Sequence, residues 1–450
     1  MQDLFFSPLR FFHSLLYSCR RPVGESLSRC LSYTSQLNPG EQAPGASGFD
    51  ASLLFGCLLG RRISSALAFG RRPRGACSNF KEETMARKCF LLTAAILFFT
   101  ELAIPQAAKT RLAVVGLDHD HVWGLLRDIQ QEPDAELIAI ADPHPELVER
   151  ARKRVPPSVQ FFSDYVKMLD EAKPEAVIVA TENDKHLEIL RECAKRHIHF
   201  STEKPLASTA ADAREMARLA QDAQIKLMVN YWNAWTPATH ELFHRVYAGE
   251  LGPVQKIVVE YGHQGPKEIG VSKYFADWLY DPVKNGGGAL VDFGCYGAEW
   301  ALWLKGRPTS VYAYTLKLKT EQHNPVDDDA TILLEYPDAT VMIQASWDWP
   351  YGKGEVAVYG PKRSLIETGD GRLFRPANSK ADVAHPEGEP VSLKPVEHKT
   401  SNPIAYFLGC IRNNQEIENP VAAELNVGVN EILDAAKESI RTGRALEFGQ

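Results

Sequence analysis

Cysteine is scarce in most of this 450-residue chain. Of eight, five (Cys19, Cys30, Cys57, Cys77 and Cys89) precede residue 90, and only Cys193, Cys295 and Cys410 follow. None of these three forms a CxxC pair or a Cys/His cluster, which argues against a disulfide framework and a structural zinc site. Basic residues are in deficit over the same region. The first 108 residues carry a net +5 and the whole chain −7, so residues 109–450 carry −12. Such an acidic body argues against nucleic acid or an anionic membrane as a default partner. Internal repeats are absent, and no low-complexity linker separates the halves.

The front end reads differently. Residues 1–84 hold nine Arg and one Lys against six acids. They are expected to be an extension lying outside the fold, with a transit peptide as the alternative. From Met85 runs MARKCFLLTAAILFFTELAIPQAAK. Arg87 and Lys88 form a basic start, Cys89 to Thr100 an apolar run too short to span a bilayer comfortably, and Pro105, Ala107 and Ala108 a cleavage-site pattern. Residues 85–108 are therefore expected to be a signal peptide, which implies an exported protein with no stable membrane span after cleavage.

From Lys109 the chain alternates short apolar runs with helical stretches. RLAVVGL, ELIAIAD, VQFF, AVIVA, HIHFST and IKLMVNY predict six strands, with helices between them at His121–Gln131, Pro145–Arg154, Lys185–Arg196 and Thr209–Ala223, the last capped by Ser208. Strands and helices alternating in this way predict an α/β domain over 109–230, a Rossmann doubly wound parallel sheet. The pattern changes after Pro237. A helix over Thr239–Ala248 is followed by VQKIVVEYGH, a glycine run, and long strands from Ser310 to Thr368; a last helix covers Val427–Thr442. Residues 231–450 are expected to form an α+β domain with a large, mostly antiparallel open sheet. One face would pack on helices and the other would face a second subunit of a homo-oligomer.

Two motifs carry the chemistry. Glu203-Lys204-Pro205 ends the fifth strand, and the stretch NGGGALVDFGCYGAEW (285–300) places Asp292 and Tyr296 one turn apart. In this order and spacing they resemble the Gfo/Idh/MocA family of NAD(P)-dependent oxidoreductases, over about residues 109–450. The resemblance implies that Lys204 reaches the nicotinamide ribose and the substrate, and that Tyr296 stands where many relatives have His. Lys204, Asp292 and Tyr296 are the expected catalytic residues. Lys204 would lower the phenol's pKa so that Tyr296 can move a proton.

The same resemblance places the dinucleotide diphosphate at the first turn, Gly116-Leu117-Asp118-His119-Asp120-His121. Only the first of the family's three glycines is present. Asp118 and His121 occupy the places of the other two, and an acid there repels diphosphate unless its side chain turns away to cap the helix. His119 and His121 form an HxH without a visible third ligand, so capping or substrate contact is the preferred reading over a metal. Asp142, at the end of the second strand, suits the adenosine ribose hydroxyls and favours NAD over NADP. Thr181, Asn183 and His186 follow the fourth strand on the nicotinamide side, and Glu203 adjoins Lys204. The glycines before Asp292 would let substrate and nicotinamide approach the backbone closely. Asp327-Asp328-Asp329 reads as a solvated turn, while Trp232, Trp235, Trp347 and Trp349 suit either a sugar-binding face or the core.

The expected activity is hydride transfer between NAD and a carbohydrate or polyol-like alcohol. Two alternatives remain open: an exported glycoside hydrolase or lyase that retains its NAD, and a sugar-binding module that has lost catalysis.

Overall fold

A computed structural model describes residues 108–376 and 388–448. The expected extension (1–84) and signal peptide (85–108, except Ala108) lie outside the described residues. Among those described, no helix is long and apolar enough to cross a membrane.

The N-terminal elements alternate throughout: β1 (Thr110–Val115), α1 (Val122–Gln131), β2 (Ala135–Ala141), α2 (Pro145–Arg152), β3 (Gln160–Phe162), α3 (Tyr165–Ala172), β4 (Ala176–Val179), α4 (His186–Ala194), β5 (His199–Glu203), α5 (Ala210–Asp222) and β6 (Leu227–Asn230). The six strands pair in parallel in the order β3-β2-β1-β4-β5-β6. Every residue of β4 is buried, as a parallel strand covered by helices on both faces requires. The strand order reverses between β1 and β4, so the first turn and the loop after β4 flank a crevice at the strands' C-terminal ends. Thr209, rather than Ser208, caps α5: its side chain accepts from the Asp212 N–H.

The second half comprises α6 (Pro237–Tyr247), β7 (Lys256–Gly262), α7 (Lys273–Leu279), α8 (Ala289–Asp292), α9 (Gly294–Lys305), strands β8 (Ser310–Leu316), β9 (Asp329–Glu335), β10 (Thr340–Ser346), β11 (Lys353–Tyr359), β12 (Ser364–Thr368), β13 (Arg372–Arg375) and β14 (Glu389–Pro390), then α10 (His398–Ser401), α11 (Pro403–Arg412), α12 (Ala423–Thr442) and β15 (Leu446–Glu447). Its nine-stranded sheet runs β14-β13-β12-β11-β7-β10-β9-β8-β15. The β7–β10 pair is parallel and the other described ladders are antiparallel. Strand alternation gives this sheet two unlike faces. Val311 and Ala313 of β8 are buried and the Ala313 N–H donates to Ser439 of α12, whereas Tyr312, Tyr314 and Leu316 are exposed beside Leu333 of β9.

Helices α3, α7, α10 and α11 were not anticipated from the sequence. Helix α7 is short and aromatic, and α11 is apolar on most sides, so neither presents a polar-to-apolar alternation. The glycine-opened helix is in fact two, α8 and α9, broken at Phe293.

Thr236, the N-cap of α6, and Thr239 both donate to the buried Glu367 carboxyl of β12, at 3.2 and 2.7 Å. Burial lifts this carboxyl to about 7, although the two hydroxyls oppose the shift. Its folded pKa thus lies above its unfolded one. The stability it contributes is full below about 4.5 and is lost as pH rises through about 7, on the order of 3 kcal/mol in all. Thermal melts should therefore show native protein losing more stability between pH 5 and pH 8 than Glu367→Gln. Equal losses in the two proteins would remove this assignment.

Candidate active site

The residue after β5 and the end of helix α8 meet at a buried ion pair. Lys204 follows β5 directly, joined to Pro205 by a cis peptide, and only 6% of it is exposed. Its Nζ donates to Asp292 Oδ1 at 2.6 Å and to the Asp292 carbonyl at 2.8 Å. The indole N–H of Trp347, fully buried after β10, donates to the other carboxylate oxygen at 2.9 Å. Burial alone would pull the Lys204 ammonium down, but Asp292, Cys295 and Glu203 together raise it above its ordinary value. Burial likewise opposes ionisation of Asp292, yet Lys204, with His263 and Trp347, holds its carboxyl below the usual range. The pair is ionised at neutral pH.

Tyr296 stands beside this pair inside an aromatic cluster. Its ring stacks on Tyr261 (centroids 4.8 Å, planes 8° apart) and meets the edge of Tyr231 at 5.3 Å. Lys204 Nζ lies 5.0 Å from the ring centroid, over the ring. The expected lowering of the phenol's pKa does not occur. Burial, then Cys295, Asp292 and Glu203, drive it well above its ordinary value, so Tyr296 keeps its proton. A cleft of about 710 Å³ adjoins the cluster, walled by Trp232, Tyr261, His263, Phe293 and Tyr351. His263 went unnoticed in the sequence. It follows β7, and its Nδ1 accepts from the Gly265 N–H at 2.9 Å, which leaves the other ring nitrogen to carry the proton.

The glycine run serves packing rather than ligand approach. A Cβ on Gly288 would lie 1.8 Å from the Asp327 carbonyl oxygen, and one on Gly286 would lie 2.6 Å from the Ser208 carbonyl oxygen. Asp327 accepts from the Gly288 N–H at 2.9 Å and the Leu290 N–H at 2.7 Å, fastening the start of α8. Asp328 is buried and accepts from Leu318 and Lys319 N–H groups, so the expected solvated turn is a lock that sets where Asp292 stands.

The expected cofactor residues divide. Gly116, at φ +88°, follows β1 at a point where a Cβ would collide with Thr181 at 2.3 Å. Leu117 N–H donates to Asp142 at 2.6 Å, and His144 N–H donates to the same carboxylate at 2.7 Å. Gly116, Asp118, Asp142 and Thr181 line a cleft of about 220 Å³ with Glu182 and Lys185. Asp118 does not turn away to cap α1: the side chain is buried in the turn, with Oδ1 unpartnered. Burial, with Glu182 and Asp142 nearby, raises its carboxyl to about 9, so it is uncharged at neutral pH. That removes the repulsion expected of an acid at this turn. The glycine at close approach, the acid after β2 and the neutral Asp118 together fit a dinucleotide lying along the crevice. Asn183 and His186 are turned inward instead. Asn183 donates to Asn285 at 2.9 Å, and the fully buried His186 ring pairs with the Leu206 carbonyl at 3.0 Å. His119 is buried against Phe275 and Trp278, while His121 reaches Glu203 at 3.0 Å.

The comparisons agree with this geometry. Residues 111–231 match the oxidoreductase family with an NAD-binding Rossmann fold, and 240–366 match the GFO/IDH/MocA C-terminal domain. The chain belongs to the Gfo/Idh/MocA family of NAD(P)-dependent oxidoreductases. It is 28% identical to D-xylose 1-dehydrogenase (NADP(+)) 2 of Haloferax volcanii, over 64% of this chain and 84% of that one. It is 22% identical to scyllo-inositol 2-dehydrogenase (NAD(+)) of Bacillus subtilis, over 76% and 96%. Its fold is similar to that of the Caulobacter crescentus aldose-aldose oxidoreductase crystallised with glycerol, at TM-score 0.65, 22% identity and coverage of 76% and 100%.

Gly288→Ala should lower the free energy of unfolding by about 2 kcal/mol or more, because the Asp327 backbone has nowhere to retreat. Gly352→Ala, where no heavy atom lies within 4 Å of the new Cβ, is the control. Denaturant titration of both compares them, and equal midpoints would contradict this account of the glycine run.

Proposed function

We propose that this chain transfers hydride between the nicotinamide of NAD and a carbinol or carbonyl carbon of a sugar or polyol. The observation that carries the reading is the buried Lys204–Asp292 pair beside an aromatic-walled cleft of about 710 Å³. A sugar presents apolar C–H faces to aromatic rings and hydroxyls to polar groups, which suits Trp232 and Tyr351 set among Lys353, Glu355 and Asp370. The names of the relatives, a xylose and an inositol dehydrogenase, point to the same class of substrate.

When bound, NAD supplies the hydride acceptor or donor. The residues of this chain do the rest. Lys204 binds the reacting oxygen and stabilises negative charge that develops on it, because its ammonium is fixed before the substrate arrives. Asp292 keeps that ammonium charged and in place. Tyr296, which retains its proton, donates a hydrogen bond to the substrate rather than acting as a base, the neutral His263 offers a second donor from the cleft wall, and the proton of the reacting hydroxyl is exchanged with solvent in the open cleft. Asp142 accepts from the adenosine ribose and repels a 2′-phosphate, which favours NAD over NADP. The exposed Tyr312, Tyr314 and Leu333 support homo-oligomer contact through the open sheet face. The basic-apolar segment from Met85 supports export.

Lys204→Ala should lose about 100-fold or more in kcat with a sugar or polyol and retain NAD binding by calorimetry. Tyr296→Phe, which deletes one donor, should lose about tenfold or more. Near-native turnover in Lys204→Ala would overturn the reading.

A further inference from the structure

The first turn and the end of β5 bring together three groups that sequence spacing keeps apart. One ligating atom from each of His119, His121 and Glu203 lies within 4.8 Å of the others. Two are neighbours in the HxH after β1, and the third comes from the end of β5, beyond β4 in the same parallel sheet and 82 positions along the chain from His121. We propose that His119, His121 and Glu203 form a binding site for a single divalent zinc-class cation.

Three features of the arrangement carry this. The first is the donor set. Two imidazoles and one carboxylate are a borderline-soft N₂O combination, which suits Zn²⁺ over the oxygen-preferring Mg²⁺ or Ca²⁺. Zinc at its usual bond lengths of about 2.0–2.1 Å sets ligand atoms roughly 3.4 Å apart. His121 Nδ1 and Glu203 Oε2 already stand at 3.0 Å, so an ion requires adjustments of about an ångström, within reach of side-chain rotation.

The second feature is that the ligands are themselves held. Glu203 is 2% exposed, and its Oε1 accepts from Asn230 Nδ2 at 2.7 Å, which turns Oε2 toward His121. Asn230 is fixed in turn by the Trp235 indole N–H at 2.9 Å. His119 Nδ1 accepts from the His121 backbone N–H at 3.2 Å, and Phe275 packs on the ring at 4.3 Å between centroids. Metal sites depend on outer partners of this kind to orient their ligands. The neighbouring Lys204 ammonium is matched by Asp292 at 2.6 Å, which limits its repulsion of a cation.

The third is an open side. His121 has 47% of its side chain exposed and, with Glu203, lines a cleft of about 370 Å³. Trp232 borders both this cleft and the larger one assigned to the sugar. A three-ligand site with an open fourth position therefore faces the same side as the substrate, where an oxygen of water or of a sugar can complete a tetrahedron.

Titration of the full chain with Zn²⁺ against a chromophoric chelator tests the proposal, alongside Co²⁺ titration read by visible absorption. One equivalent should bind, with a four-coordinate Co²⁺ spectrum. His121→Ala, at a half-exposed position where the core is not disturbed, and Glu203→Gln should each weaken binding by about tenfold to hundredfold or more. Circular dichroism verifies that both variants are folded. Absence of binding at millimolar Zn²⁺, or equal binding by native protein and a folded His121→Ala, would overturn it. The readout is metal content, so the result stands apart from the test of hydride transfer.

Discussion

Everything near the site depends on one buried ion pair. Lys204 follows β5 of the parallel sheet and Asp292 ends α8, between β7 and β8 of the large sheet, and the two side chains form a buried polar joint between the halves. Burying two charges costs several kcal/mol each unless geometry and further hydrogen bonds compensate. Here they do: the ammonium has the Asp292 carboxylate and carbonyl, and the second carboxylate oxygen has the Trp347 indole. Once the pair is formed, neither partner can leave without stranding the other. That gives the Lys204 ammonium a fixed position in the absence of substrate, which is what the proposed electrostatic stabilisation of a developing oxyanion requires.

The rest of the second half holds Asp292 in that position. Asp327 takes the first N–H groups of α8, and its backbone fills the space that Gly288 leaves free. Asp328 ties the preceding loop to the end of β8, and its carbonyl accepts from the Trp347 N–H. The acids of this run therefore work as backbone acceptors that join glycine run, sheet and indole. Around them, Tyr231, Tyr261 and Tyr296 pack ring on ring, and burial in this cluster keeps the Tyr296 phenol protonated.

Much of this was legible in the sequence because the relevant signals are local. Six apolar runs separated by helical stretches become the six parallel strands, and the Glu203-Lys204-Pro205 and Asp292–Tyr296 motifs do meet. What was not legible depends on contacts between distant segments. His263 is one histidine at a strand end, and only its neighbours Phe293 and Asp292 make it a site residue. Asp118 reads as a charge in a diphosphate turn until its burial beside Glu182 is known. Glu203 reads in sequence only as the neighbour of Lys204, but its side chain pairs with His121. The glycines before Asp292 read as room for ligand because nothing local announces that Asp327 will occupy it.

The central claim is that Lys204 and Asp292 act as one unit, and a double-mutant cycle measures it most directly. Denaturant unfolding of Lys204→Met, Asp292→Leu and the double variant at pH 7 gives the coupling free energy. The account predicts that the double variant is less destabilised than the sum of the singles by about 1.5 kcal/mol or more, because each single leaves a buried charge unpaired. Additivity to within about 0.5 kcal/mol would contradict it.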